Sequence, residues 1–283
     1  MNERHHTFET PAPTKLRVEI PNGQITLTAG ETAITEVDLA APHNDSGALA
    51  WIADAEVAQI AGEIVVRGPK VGLSLFRSWG PITAQIRAPL GSHANLSIGA
   101  GGIETVGRLG KVTANTGAGS VKLDDCDEAR AHTGAGNVEI GAVTGSVDTK
   151  TGAGKVTVAK VGANATIVTA AGNAKVGDIR GMAKFTTAHG NIEVDRAGDS
   201  LEAFTASGNV DVRRADHGWV RAKTVSGRVS VGVPAGVSAL LDISTLSGRV
   251  QSDLAASGAP GDGEAQVELI LSTVSGNVNV ARA

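Results

Sequence analysis

One short motif constrains this chain more than any other feature. From Gly119 onward it recurs as TGAGSV, TGAGNV, TGAGKV, TAAGNA, TAHGNI, TASGNV, TVSGRV, TLSGRV and TVSGNV. Its glycines are Gly119, Gly136, Gly154, Gly172, Gly190, Gly208, Gly227, Gly248 and Gly276, at intervals of 17, 18, 18, 18, 18, 19, 21 and 28 residues. Each is preceded, three residues earlier, by a threonine: Thr116, Thr133, Thr151, Thr169, Thr187, Thr205, Thr224, Thr245 and Thr273. A fixed period near eighteen residues marks a stacked repeat, in which each unit covers the apolar face of the next.

Inside the unit the apolar pattern has a period of two, as a strand requires. It reads Val138 and Ile140, Val156 and Val158, Ala174 and Val176, Ile192 and Val194, Val210 and Val212, Val229 and Val231. A second strand lies mid-unit, in GSVDTKT (145–151) or DSLEAFT (199–205), and no helical period is evident. The pattern predicts an all-β chain, a parallel β-solenoid (β-helix) with coils of about 18 residues. Three short faces per coil are expected, and a right-handed path, because parallel crossovers take that hand.

The motif residues have structural roles in this frame. Glycine at the corner supplies a positive φ or a close approach to the next coil. The threonine hydroxyl is expected to satisfy corner backbone groups. Asn137, Asn173, Asn191, Asn209 and Asn277 follow the glycines and are expected to stack, sharing side-chain amide hydrogen bonds along the axis. An ice-binding threonine array needs a second threonine column two residues away. Those positions hold Thr149, Ile167, Phe185 and Ala203, so the array is excluded.

Three segments follow from the pattern: a flexible tail over 1–14, an irregular β-repeat over 15–98, and a regular solenoid over 99–283 continuous with it. In the irregular part NGQITL (22–27) and AGEIVV (61–66) read as degenerate copies of the unit, and strand alternation resumes over 82–106. Residues 39–50, 68–81 and 256–266 read as loops, the last accounting for the 28-residue interval. The final strand, NVNVARA (277–283), is expected to be uncapped, with free backbone groups that favour end-to-end self-association.

Composition narrows the function. Of 283 residues 37 are glycine but only 9 proline, and aromatic residues are scarce, with four Phe, three Trp and no Tyr. A core of Val, Ile, Leu and Ala turned by Gly suits narrow stacked layers. The formal charge is −4, from 25 basic and 29 acidic residues that are interspersed, so no basic stripe exists for nucleic acid. A lone Cys126 excludes an intramolecular disulfide framework and fits a reducing compartment. No apolar run of signal-peptide or membrane-spanning length is present, so a cytoplasmic protein without an integral membrane segment is expected.

Motifs that imitate catalytic or cofactor sites fail on spacing. TGAGKV (151–156) lacks the third glycine and the helix of a dinucleotide fingerprint. GRLGKVT (107–113) lacks the spacer and hydroxyl residue of a phosphate loop. The acidic corner DDCDE (124–128) lacks the glycine of a calcium loop and reads as a solvated turn. His93, His132, His189 and His217 are scattered, with His132 and His189 in different columns, so no shared metal site is expected. No cofactor and no catalytic residue are expected.

Parallel β-helices also include carbohydrate-active enzymes and carbohydrate-binding proteins, and these form the alternative class. Their sites need paired carboxylates, or a carboxylate with Lys or Arg, on one lateral face. One candidate patch meets this: Asp195, Arg196, Asp211, Arg213, Arg214 and Asp216, with Trp219 nearby. The same residues also form a candidate interaction face, since alternating charges on neighbouring strands usually pair with one another.

Two kinds of segment carry a family resemblance. Ala88-Pro89-Leu90-Gly91 and Val233-Pro234-Ala235-Gly236 each place a proline loop after a strand, followed by an alternating strand and the T-x-S-G-x-V unit. Over roughly residues 15 to 283 this resembles the bacterial DUF4097 family, the putative-adhesin group of "toastrack" β-repeat domains. The resemblance implies a non-enzymatic β-repeat scaffold or interaction module, often found with envelope-stress or membrane-associated regulatory systems, and offers no catalytic residues to carry over. The partner is then a protein, or a second copy of this chain.

Overall fold

The computed structural model describes residues 3–42, 45–69, 79–254 and 266–283. It is a parallel β-solenoid with one helix among the described residues. The chain divides into two compact units, Met1–Gly141 and Ala142–Ala283.

In the second unit each coil contributes two strands, such as Val147–Ala153 and Val156–Val161, then Ala165–Ala171 and Ala174–Ile179. Each strand lies parallel and in register with its counterpart one coil on, so that Thr151 sits beside Thr169, Thr169 beside Thr187 and Thr187 beside Thr205. Inward positions hold small aliphatic side chains, all buried: Val156, Val158, Ile167, Val176, Ala183, Ala203 and Val212. Phe185, fully buried, has room because its neighbours in the column are Ile167 and Ala203. The expected three faces resolve into these two strands, the second one bent. In Val156–Val161 two consecutive exposed residues, Ala159 and Lys160, break the alternation before Val161 turns inward.

The corner works through backbone geometry. Gly208 has φ +153°, a conformation that L side chains resist, and a Cβ there would overlap the carbonyl oxygen of Gly190 in the coil below. That carbonyl accepts a hydrogen bond from the Thr205 hydroxyl at 3.0 Å. The same bond joins Thr224 to Gly208 and Thr273 to Gly227, so the threonine column is a buried seam between coils. The asparagines form a ladder of a different kind from the one expected. Asn173 Oδ1 accepts from the backbone N–H of Asn191, and Asn191 Oδ1 from that of Asn209, both at 2.8 Å. A carbonyl oxygen aimed at a fixed backbone donor satisfies a group that the strand ladder leaves over at the corner.

The order of coils at the C-terminal end departs from the order of the sequence. The strand Gln266–Ser275 lies between Gly218–Ser226 and Ser238–Ser247, and Val278–Arg282 lies between Val229–Val233 and Val250–Ser252. The final strand is therefore an interior strand with partners on both sides, which corrects the expectation that it is the uncapped one. Among the described residues coil 238–252 is the outermost of this unit. Of the expected loop 256–266, residues 256–265 lie outside the described residues, and Gln266 already begins a strand.

The first unit contains a similar exchange. Lys15–Gly30 runs through its corner at Gly23 and pairs with His93–Val106 on one side. On its other side it pairs with Glu63–Arg67 and Ile82–Pro89, which follow it in sequence. That outer coil is covered: Ile34–Ala40 pairs antiparallel with Ile82–Pro89, and Glu56–Ile60 antiparallel with Glu63–Arg67.

Three further expectations are corrected in this unit. The tail expected over 1–14 instead contains a strand, Glu3–Glu9, antiparallel to Ile34–Ala40, because an exposed edge was available to pair its backbone. Residues 61–62 are the turn of a hairpin rather than a coil corner, with φ +49° at Ala61 and +81° at Gly62, as a two-residue hairpin turn requires. The loop expected over 39–50 contains the start of the helix Ser46–Asp54, whose N-cap Asp45 accepts from Ala48 N–H at 2.8 Å. Its buried residues, Ala48, Trp51 and Ile52, form one face, and Arg4 donates to the carbonyls of Ile52 and Ala55 at its end. Of the loop expected over 68–81, residues 70–78 lie outside the described residues.

Candidate functional site

The charge face predicted from sequence comes together only in part. Asp216 is gripped by two arginines, Arg196 Nε and Arg214 Nε, each at 2.6 Å. Partial burial works to raise its pKa, but the two guanidinium hydrogen bonds outweigh it and hold the carboxyl below its usual range. Arg213 Nη1 lies 2.8 Å from Asp195 Oδ1, off the hydrogen-bond axis, as a charge contact between coils. Asp211 makes no ion pair among the described residues. Trp219 takes the Arg221 guanidinium over its ring, 5.4 Å from the centroid, rather than joining the cluster. Of the three carboxylates in the patch, Asp195 and Asp216 thus sit against arginines and Asp211 does not.

Other polar columns are likewise spent between coils. Lys184 pairs with Glu202 at 2.9 Å, and Lys175 with Glu193 at 3.5 Å, each pair directly opposite in the parallel register. In the acidic corner Asp124 accepts from the backbone N–H of Gly107 and Asp127 pairs with Arg108. His93 Nδ1 accepts from the backbone N–H of Lys111. Among the described residues no group of three or more His, Cys, Asp or Glu is placed to hold a metal. Cys126 is buried, and desolvation with three neighbouring aspartates pushes its thiol up to about 12. A groove of about 290 Å³ is lined by Val143, Thr144, Lys160, Gly162, Asp178 and Arg180.

The feature that no sequence motif announced is apolar. Of the twelve large hydrophobic residues exposed among the described residues, six lie in the last three coils: Val225, Val274, Leu240, Leu241, Leu246 and Val250. Leu246 is 85% exposed and Leu240 57%. Val225, Val274 and Leu246 occupy one column, two residues before the corner glycine, where the other coils of this unit hold Gly152, Ala170, Ala188 and Ala206. Leu241 and Val250 point inward but have no further coil to cover them, because their strands have a partner on one side only among the described residues. The signal was present in sequence as a graded column of side-chain size. Its meaning depended on knowing which coil comes last.

The strands, the Thr-x-x-Gly corners and the proline loops define a β-repeat domain of the toastrack type. The family model described as Toastrack DUF4097 matches residues 57–281, and this chain belongs to that family. No curated protein matches it. Similar solved structures include a "putative adhesin" of Bacteroides fragilis (14% identity, 99% of this chain and 97% of that one covered, TM-score 0.35). They also include a "putative lipid binding protein" of Parabacteroides distasonis (10%, 99% and 96%, TM-score 0.37) and a "putative adhesin" of Parabacteroides merdae (9%, 99% and 96%, TM-score 0.33). No helix among the described residues is long and apolar enough to cross a membrane.

Proposed function

We propose that this chain is a non-enzymatic interaction module that binds protein through the open end of its second unit. The observation that carries this reading is the concentration of exposed Leu and Val on coils 218–233, 266–282 and 238–252, whereas the preceding coils carry ion pairs such as Lys175–Glu193, Lys184–Glu202 and Arg213–Asp195. Contiguous exposed apolar patches mark protein contact sites, since leaving them in water is unfavourable. The two arginines that hold the Asp216 carboxyl below its usual range speak against Asp216 as the acid of the carbohydrate-active alternative, which would need a raised pKa. The Asp195–Asp216 cluster is then a lateral surface of the module rather than its binding end.

The test compares proteins captured from native cells by the wild-type chain, by Leu246→Glu at the open end, and by Lys150→Glu, an exposed position of coil 147–161. Loss of specific partners with Leu246→Glu alone is expected. Equal capture by all three chains would overturn the assignment to this end.

A further inference from the structure

The end coil is a strand edge without the usual protection. Ser238–Ser247 carries no Lys and no Pro, and its single charge is Asp242. Natural edge strands are normally blunted by such residues or covered. Among the described residues no strand pairs with its outer side, where Leu240, Leu241 and Leu246 are exposed.

A second copy of this chain fits the edge, and geometry restricts how. In the first unit both strands of the outer coil already hold antiparallel partners, so that coil offers no open parallel edge for head-to-tail stacking. A copy that meets the open edge with the same edge makes an isologous contact, which closes at two chains. Antiparallel pairing must also keep inward residues beside inward residues. Inward here are Leu241, Ile243 and Thr245, aligned through Leu269, Leu271 and Thr273 with Val220, Ala222 and Thr224.

One register then stands out. Centred on Ile243 it sets Leu240 opposite Leu246, Leu241 opposite Thr245 and Asp242 opposite Ser244. Sliding by one step in either direction sets Asp242 opposite its own copy or opposite Leu246, placing like charges together or a charge against an apolar side chain. We infer that two copies associate through Ser238–Ser247, paired antiparallel about Ile243, so that each covers the open core of the other. This names the occupant of the end assigned above and rests on that assignment.

The full chain is measured by light scattering across the micromolar range, where a species of twice 28.5 kDa is expected. Ile243→Cys should form a disulfide dimer on oxidation, because directly opposed residues place their Cα atoms about 4.5–5.5 Å apart, within disulfide reach. Ala239→Cys, opposite Ser247, should not. The buried Cys126 stays out of the reaction. The double variant Leu240→Glu/Leu246→Glu should weaken the dimer by at least about 100-fold through like-charge contact, while Leu240→Glu/Leu246→Lys should retain it. Both lie at solvent-exposed sites, so the monomer fold is preserved.

A wild-type chain that stays monomeric, or a dimer indifferent to all these changes, overturns the proposal. If the wild type is monomeric but Leu246→Glu still loses a captured partner, self-pairing fails and the interaction-module reading stands. If it is monomeric and Leu246→Glu captures the same proteins, both fall.

Discussion

Gly208→Ala adds one carbon where the coils approach most closely, and the structure sets its cost. At φ +153° an alanine occupies a region that side chains avoid, a penalty of about 1–3 kcal/mol. The new Cβ would also lie 2.6 Å from the carbonyl carbon of Gly190 and 3.3 Å from Asn191 N, and would overlap the Gly190 oxygen. The coils must part to relieve this. Doing so loses the Thr205 hydroxyl bond to that oxygen, worth about 1 kcal/mol. The sum is about 2–4 kcal/mol before any loss of core packing. At about 2–4 °C per kcal/mol for a cooperative unit of this size, the Tm falls by about 4–16 °C. Circular dichroism melting measures it, with Ala206→Val as the control. That change lies two residues away in a column where the next coil already carries Val225, and it should cost under about 0.5 kcal/mol. Equal melting of Gly208→Ala and wild type would refute the close-approach account of the corner.

Asn191→Asp keeps an oxygen acceptor for the Asn209 N–H and should leave stability nearly unchanged, whereas Asn191→Ala should cost about 1 kcal/mol by denaturant unfolding. If Asp behaves like Ala, the ladder depends on the amide N–H group instead. Cys126 should resist thiol reagents at pH 8 in the folded chain and react once unfolded, since its pKa is near 12. The folded state holds that proton where the unfolded state has released it, so stability should fall as pH rises from about 9 towards 12. The Asp216 carboxyl is held below its ordinary value, so its contribution is present above the unfolded value of about 3.9 and lost as pH falls through the lower folded one. Asp216→Asn should cost about 1 kcal/mol at neutral pH and flatten the acid limb of the stability curve, which urea titrations at several pH values would report.

Most of the second unit was legible because its rules are local. Alternation of Val156 and Val158 makes a strand, and Gly154 with Thr151 turns it, in every coil alike. The helix Ser46–Asp54 was missed although Asp45 and the i, i+3, i+4 spacing of Ala48, Trp51 and Ile52 signalled it, because it lay between β repeats too short to set a period. The hairpin at Ala61–Gly62 was mistaken for a coil corner, since a glycine before an apolar strand serves both. The charge face was found as a set of residues, but only their positions in space paired Asp216 with two arginines and set Trp219 against Arg221.

The period by itself determined the unit of this protein: a buried threonine, a corner glycine and an alternating strand, because each answers to its own backbone and to an identical neighbour. It did not determine which coil stacks on which. Backbone ladders are nearly blind to side chains, and the corner glycines Gly248 and Gly276 carry the same Thr-x-x-Gly motif. Tertiary burial made the choice. Val267, Leu269 and Leu271 alternate cleanly and are buried in the interior coil, while Leu240, Leu241 and Leu246, apolar on both faces, were left at the end. That placement gives the chain its open edge.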